Sequence, residues 1–133
     1  METPRLVRSE RVYSGRLFNV DLDTLQMHDG VIALRETLQH PGAVAMIPVD
    51  AEGNLILVTQ YRHSAGRRLL ELPAGTLEKG EEPITAVSRE LQEEIGYAPG
   101  RVIGLGGFFV APGYTSEYIH LFLCDELSVS VLP

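Results

Sequence analysis

Alternating apolar and polar positions predict a β-hairpin in the first third of the chain. In Phe18–Asp23 the apolar residues take every second position, with asparagine and aspartate between them, which is typical of a strand. His28-Asp29-Gly30 predicts a hairpin turn, in which glycine supplies a positive φ. We therefore expect Val31–Gln39 to form the returning strand.

Further apolar segments predict more strands later in the chain. Gly42–Pro48 and Leu55–Tyr61 are almost continuously apolar, which favours a sheet covered on both faces. The turn-rich loop 50–54 joins them. Arg101–Val110 and Tyr118–Cys124 are predicted as closing strands.

The pattern changes to a helical period over Pro83–Ile95. Proline is favoured at the first position of a helix, and Gly96 provides a left-handed stop. Apolar residues recur at three- and four-residue spacing and predict one core-facing stripe: Ile84, Val87, Leu91 and Ile95. The fold class is therefore α/β, a mixed sheet with few helices.

Length and composition indicate one globular domain over residues 1–133. The chain is 44% hydrophobic and 22% charged, which is typical of globular proteins rather than of disordered chains. No apolar segment is long enough to cross a bilayer, and the N-terminus has no apolar signal core. Cys124 is the sole cysteine, so we expect no internal disulfide and a reducing cytoplasmic location.

The net charge of −7 excludes nucleic-acid binding by bulk electrostatics, because such a field repels a phosphate backbone. A small phosphorylated molecule remains a possible ligand if local arginines or a bound cation reverse the sign of the field.

Three carboxylates lie on the polar side of the predicted helix. Glu90, Glu93 and Glu94 stand at positions i, i+3 and i+4, so they share one helical face. Like charges this close raise one another's pKa unless a positive charge lies among them, and hard divalent cations are natural partners. The alternative is a solvated acidic face on an acidic protein.

The segment from Gly75 to Tyr97 favours the first interpretation. It is GTLEKGEEPITAVSRELQEEIGY, and it resembles the Nudix box: glycine, five residues, glutamate, seven residues, Arg-Glu, an apolar residue, any residue, Glu-Glu, any residue, glycine and an apolar residue. Tyr97 departs slightly, since aliphatic residues are commoner at the last position. The resemblance implies the Nudix fold, with residues 75–97 as the box.

The resemblance also implies a set of metal ligands for Mg²⁺ or Mn²⁺. Glu90 and Glu94 would be the main ligands, Glu93 a further ligand or a water-orienting group, and Ala74 a ligand through its carbonyl. Glu81 would either hold a second metal ion or pair with Arg89 to fix the loop on the helix. Of these two roles we favour the pairing.

Hydrolysis of a pyrophosphate also needs a group that accepts or orients the proton of the attacking water. The loop from Pro112 to Glu117, PGYTSE, resembles the loop downstream of the box in ADP-ribose pyrophosphatases, in which a glutamate reaches over the metals. Glu117 is therefore the candidate base, Glu93 is its rival, and an exposed carboxylate at a strand start is the structural alternative.

Residues upstream of the box also resemble that subgroup. Arg62 and Arg67 are candidate clamps on substrate phosphates, with surface pairing to Glu71 or Glu36 as the alternative. Phe18 and Tyr13 are candidates for an aromatic wall against adenine, although a strand phenylalanine is more often core. The four histidines share no ligand spacing, and we interpret them as solvent or loop residues.

Members of the subgroup usually continue through another strand and a closing helix, and residues 125–133 do not predict such a helix. Bare apolar sheet surface would then predict a homodimer, in which the resemblance implies that the strands of residues 1–40 contact the partner and contribute to its site. The alternative is a truncated or natural short form with reduced activity.

The predicted function is divalent-metal-dependent hydrolysis of ADP-ribose, or a related nucleoside diphosphate sugar, to AMP and a sugar phosphate. Alternatives are a hydrolase of nucleoside triphosphates or dinucleoside polyphosphates, and a nucleotide-sensing module without catalysis.

Overall fold

A computed structural model describes residues 2–130 of the protein. Within those residues the chain forms eleven strands, one α-helix and one short 3₁₀ helix. In chain order they are β1 (Arg5–Ser14), β2 (Asn19–Gln26), β3 (Ile32–Gln39), β4 (Ala43–Pro48), β5 (Val58–Arg62), the 3₁₀ helix (His63–Ala65), β6 (Arg67–Glu71), β7 (Ala74–Thr76), α1 (Pro83–Ile95), β8 (Tyr97–Ala98), β9 (Arg101–Phe109), β10 (Tyr118–Asp125) and β11 (Ser128–Val129). The mixed α/β class predicted from the sequence is confirmed.

The chain divides into two compact units. The first contains residues 2–41 and 109–118, and its sheet has the strand order β1-β2-β3, antiparallel throughout. The hairpin predicted between β2 and β3 is confirmed. Gly30 has a φ of 82°, and the Met27 amide donates to the Val31 carbonyl across the turn.

The polar face of β2 is not simply a solvent face. Asp21 is buried, and the Arg11 guanidinium of the neighbouring strand donates to both of its carboxylate oxygens. Those hydrogen bonds lower the pKa of Asp21. The pair thus joins β1 to β2 by a charge-assisted contact.

The second unit contains residues 42–108 and 119–130, and its main sheet has the strand order β7-β4-β10-β9. β4 runs parallel to β10 and antiparallel to β7, in register Ala45 with Ala74. The core lies between β4 and α1. Its fully buried members are Val44, Met46, Ala86, Val87, Leu91 and Cys124.

The predicted helix is confirmed at both ends. Pro83 begins α1, and Gly96, with a φ of 71°, donates to the Leu91 and Gln92 carbonyls and ends it. Val87 and Leu91 are fully buried. The adjoining side of α1, which carries Glu90 and Glu94, is therefore held in a fixed rotation about the helix axis.

Two of the sequence predictions were wrong in detail. Ile84 is 52% exposed, because the first turn of α1 extends past the core, and Ala86 is buried instead. The segment Leu55–Tyr61 enters its strand only at Val58 and pairs with β6 in a two-stranded hairpin. Leu55, which precedes the strand, and Tyr61, in a hairpin that is not part of the main sheet, are therefore largely exposed rather than covered on both faces.

At the other end of the chain, β11 pairs with β8, and residues 131–133 of the predicted C-terminal segment lie outside the described residues. Within residues 2–130, no helix has the length and apolar character needed to cross a membrane.

Candidate active site

The glutamate face of α1 meets strand β7 at Gly75. Glu90 is buried, at 7% exposure, and its carboxylate occupies the space that a β-carbon at position 75 would fill. Any side chain at position 75 would displace that carboxylate. The glycine of the box is therefore required by a close approach between helix and strand rather than by a left-handed backbone.

Arg89 organises the carboxylates around it. Its guanidinium donates to both oxygens of Glu81 at 2.9 Å, to Glu90 Oε1 at 2.7 Å and to Glu93 Oε2 at 3.3 Å. The amide of Glu78 adds a hydrogen bond of 2.9 Å to Glu81 Oε2. Glu81 is thus fixed by Arg89 and by the loop, as expected for the structural role that the sequence favoured.

These contacts shift the acid–base equilibria of the pair. The hydrogen bonds from Arg89, followed by the bond from the Glu78 amide, lower the pKa of Glu81 to about 2. The bond to Glu81, with further contributions from Glu90, raises the pKa of Arg89 above its usual value. Both groups therefore remain charged at neutral pH, and the loop 76–82 is tied to the helix by an ion pair.

The pKa of Glu90 is shifted in the opposite direction from that of Glu81. Burial of its carboxylate is the main cause of a raised pKa, and the negative charges of Glu93 and Glu94 raise it further, against the lowering effect of Arg89. The trio is therefore close enough for mutual repulsion. The positive charge of Arg89 offsets only part of the negative charge of these three glutamates, because Arg89 also pairs with Glu81.

Glu94, on the next turn of the face, contacts strand β5. The side-chain amide of Gln60 donates to Glu94 Oε1 at 3.3 Å and to Oε2 at 3.4 Å. Together with Val58 and Thr59, these two residues line a groove of about 420 Å³. Gln60 was not singled out from the sequence, although its place two residues before Arg62 puts both on one face of β5.

The donor set fits hard divalent cations. It consists of the carboxylates of Glu90, Glu93 and Glu94, of which Glu90 lies against strand β7, whose first residue is Ala74. Such oxygen donors suit Mg²⁺ or Mn²⁺. Burial is the main cause of the raised pKa of Glu90, but the negative charges of Glu93 and Glu94 also contribute, and a cation would neutralise them. Within residues 2–130, no three acidic, histidine or cysteine side chains converge as a ready-made ligand set, so the ligand assignment stays a prediction.

The predicted phosphate clamps lie at one end of the β5–β6 hairpin. Arg62 and Arg67 are directly paired in the register of its two strands. Arg62 donates to Glu71 at 2.6 Å, which is the alternative pairing that the sequence allowed. That bond raises the pKa of Arg62, and the charges of Glu71 and Glu94 add to the effect, so the guanidinium is also electrostatically coupled to the glutamate face.

The remaining candidates belong to the first unit. Tyr13 and Phe18 form an aromatic pair beside the β1–β2 turn, with ring centroids 6.0 Å apart, and Tyr13 is 55% exposed. Glu117 lies at the end of the loop 111–117, with its side chain 30% exposed. The structure therefore brings Glu81, Glu90 and Glu93 together around Arg89 and holds Glu94 against Gln60 of β5. It places Tyr13, Phe18 and Glu117 in the other unit.

Residues 39–132 match the family model of the NUDIX domain. The chain therefore belongs to the Nudix family, as its box predicted.

The chain is also similar to individual proteins. The chain is 39% identical to the ADP-ribose pyrophosphatase of Bacillus subtilis (strain 168), over 94% of this chain and 68% of the relative. It is 38% identical to the methanol dehydrogenase activator of Bacillus methanolicus, over 93% of this chain and 67% of that protein. A crystal structure of an ADP compounds hydrolase superimposes with a TM-score of 0.87 at 26% identity, covering 99% of this chain and 72% of that chain. The likeness to ADP-ribose pyrophosphatases predicted from the sequence is thus confirmed.

Proposed function

We propose that this protein hydrolyses the pyrophosphate bond of ADP-ribose, or of a related nucleoside diphosphate sugar, and releases AMP and a sugar phosphate. The observation that carries the proposal is the intact box, with the Glu90 carboxylate seated against Gly75 and next to Glu93 and Glu94. The 39% identity to an ADP-ribose pyrophosphatase supports the choice of substrate.

We assign the roles of the metal-binding and supporting residues from their contacts. Glu90, Glu94 and Glu93, with the Ala74 carbonyl, would hold Mg²⁺ or Mn²⁺. When bound, such ions neutralise a diphosphate and lower the pKa of a water molecule. Arg89 and Glu81 keep the loop and the helix in place. Gln60 keeps Glu94 turned towards β5.

The other proposed roles concern the substrate and the proton. Arg62 and Arg67 pair with phosphate oxygens, for which a guanidinium offers two parallel donors. Tyr13 and Phe18 provide an aromatic surface for adenine. Glu117 accepts the proton of the attacking water, and Glu93 is the alternative base.

We also propose a homodimer that acts in the cytoplasm. Support for the dimer comes from the first unit, where every residue of β1 is exposed. The exposed residues of β1 and β3 include large apolar side chains: Leu6, Val7, Val12, Ile32 and Leu34. Support for the compartment comes from cysteine usage, since the one cysteine, Cys124, is buried and unpaired with another.

The test is a substrate panel with separated products. Purified protein is incubated with Mg²⁺ or Mn²⁺ and ADP-ribose, sugar nucleotides, dinucleoside polyphosphates or nucleoside triphosphates. AMP and ribose phosphate from ADP-ribose, at a rate above that on the other classes, are the expected result. Release of diphosphate from a triphosphate as the dominant reaction, or tight nucleotide binding without turnover, would contradict the proposal.

A second candidate function is activation of a methanol dehydrogenase, which the 38% identity to such an activator favours. The assay measures methanol oxidation by that dehydrogenase with and without this protein. A rate increase that the Glu94→Gln variant does not give would support activation through the same glutamates, and an unchanged rate would exclude it.

A further inference from the structure

His40 is a buried histidine beside the candidate base. Its side chain is only 7% exposed, and its Nε2 lies 4.0 Å from Oε1 of Glu117. In the sequence it is not marked as a candidate ligand, since the four histidines share no ligand spacing. Its burial next to a carboxylate, however, distinguishes it from a solvent-exposed loop residue.

The end of β3 and the loop that carries Glu117 are held together by the backbone. The Leu38 amide donates to the Tyr114 carbonyl at 2.7 Å, and the Ser116 amide donates to the Leu38 carbonyl at 3.0 Å. The His40 amide donates to Ser116 Oγ at 3.0 Å. These three bonds fix the backbone of His40 relative to that of Glu117.

The backbone of Glu117 is held on its own side as well. Its amide donates to Oγ1 of the buried Thr115 at 3.1 Å, and its carbonyl accepts from the Val110 amide at 3.2 Å. With the backbone fixed in this way, the remaining freedom of Glu117 lies in its side-chain torsions. The imidazole of His40, with its Nε2 4.0 Å from Oε1, lies beside that carboxylate.

We propose that His40 is a positioning residue that orients the Glu117 carboxylate for acceptance of a proton. This inference rests on the proposed function, in which Glu117 is the base. A separation of 4.0 Å is long for a hydrogen bond, but catalytic contacts are often loose before substrate binds and tighten in the complex. An imidazole nitrogen at that place restricts the torsions of Glu117 to those that keep its carboxylate beside β3.

The test is a double-mutant cycle on kcat and KM for the substrate identified by the panel. The variants are His40→Leu, His40→Gln, Glu117→Gln and the double variant Glu117→Gln with His40→Leu. We expect His40→Leu to lower kcat about tenfold with KM unchanged, because a positioning contact supplies part of the 10²- to 10⁴-fold that a base contributes. His40→Gln, which keeps a donor, should recover to within about threefold of the wild type.

The decisive measurement is the coupling between His40 and Glu117 in their effects on kcat. In the Glu117→Gln background, His40→Leu should cause no further loss of kcat, since the group it positions is already absent. The thermal midpoint is measured for each variant, with His28→Leu, at an exposed turn, as the control that should keep full activity. If His40→Leu does not fold, His40→Asn, which shortens the polar side chain, takes its place in the cycle.

The outcomes separate the two proposals. An equal loss from His40→Leu in both backgrounds, or an unchanged kcat in His40→Leu (or in His40→Asn where it takes its place), would overturn the positioning role alone. A Glu117→Gln variant with nearly wild-type kcat would also overturn the positioning role, because Glu117 would then not be the base. Absence of turnover by the wild type on the whole panel would overturn the proposed function and this inference with it.

Discussion

The carboxylate of Glu90 lies directly against the α-carbon of Gly75, in the space where any other residue would carry its β-carbon. Glu90 is in turn fixed by helix α1, whose buried Val87 and Leu91 prevent rotation away from β7. The position of this carboxylate is therefore determined jointly by a strand, a helix and a missing side chain.

Gly75→Ala should reduce turnover about a hundredfold, because a displacement of about 1 Å in a catalytic group costs that much. The added methyl group would push Glu90 off its place at a cost in stability of about 1–3 kcal/mol. The matched control is Gly104→Ala in β9, where the new β-carbon would make an ordinary contact of 3.7 Å with Phe122. Equal kinetics for both variants would show that the Gly75 contact is unimportant.

Glu94→Gln should lower turnover by about a hundredfold or more while the fold stays intact, because the variant loses a charged ligand. Manganese affinity, followed by electron paramagnetic resonance without substrate, should fall in parallel. Glu52→Gln, in an exposed turn, is the control and should match the wild type. Near-normal turnover in Glu94→Gln would refute the ligand assignment.

Gln60→Leu should weaken manganese affinity about tenfold, as expected for loss of a group that orients a metal ligand. The reason is that the Gln60 amide donates to both oxygens of Glu94 and holds the carboxylate towards β5. Isothermal titration calorimetry measures the affinity, with Gln92→Leu on α1 as the control. If the two variants bind manganese equally well, Gln60 has no such role.

Glu81→Gln should destabilise the fold at neutral pH but not in acid. The pKa of Glu81 is lowered from 4.5 to about 2 in the folded protein, so its ionised form contributes stability above pH 4.5. That contribution is lost as the pH falls from 4.5 towards 2. Urea unfolding of wild type and variant should therefore differ at pH 7 and converge as the pH approaches 2.

The control for that series is Glu78→Gln. Glu78 also faces Arg89, but its side chain is 72% exposed and its oxygen lies 3.9 Å away. We expect a much smaller change in the free energy of unfolding, since exposed ion pairs contribute little. A pH-independent difference for Glu81→Gln would mean that the ion pair with Arg89 does not cause its effect.

The sequence predicted the elements whose signals are local. Pro83 and Gly96 mark the ends of α1, and Gly30 marks the turn between β2 and β3, because each acts through its own backbone torsion. Ile84 was misplaced because periodicity alone does not show where a helix leaves the core. Leu55 and Tyr61 were misplaced because apolar content cannot distinguish a buried strand from an exposed hairpin.

In the candidate site as well, the sequence predicted the contacts that are local in the chain and missed those between distant residues. The box predicted the glutamate trio and the Arg89–Glu81 pair, since these are fixed by helical spacing and by a short loop. The contact of Gln60 with Glu94 joins residues 34 positions apart, and the bond from His40 to Ser116 spans 76 positions. Such contacts depend on how strands pair in three dimensions, so no local pattern in the sequence reveals them.

The central claim is that the clustered carboxylates of α1 are a cation site, and manganese anomalous scattering tests it most directly. Crystals of the wild-type protein are soaked in Mn²⁺ together with a non-hydrolysable diphosphate, and an anomalous difference map is calculated. We predict peaks within coordination distance of Glu90 and Glu94, with diphosphate oxygens completing the shell. A map without density there, and with Glu90 still bound to Arg89 and Glu94 to Gln60, would contradict the account.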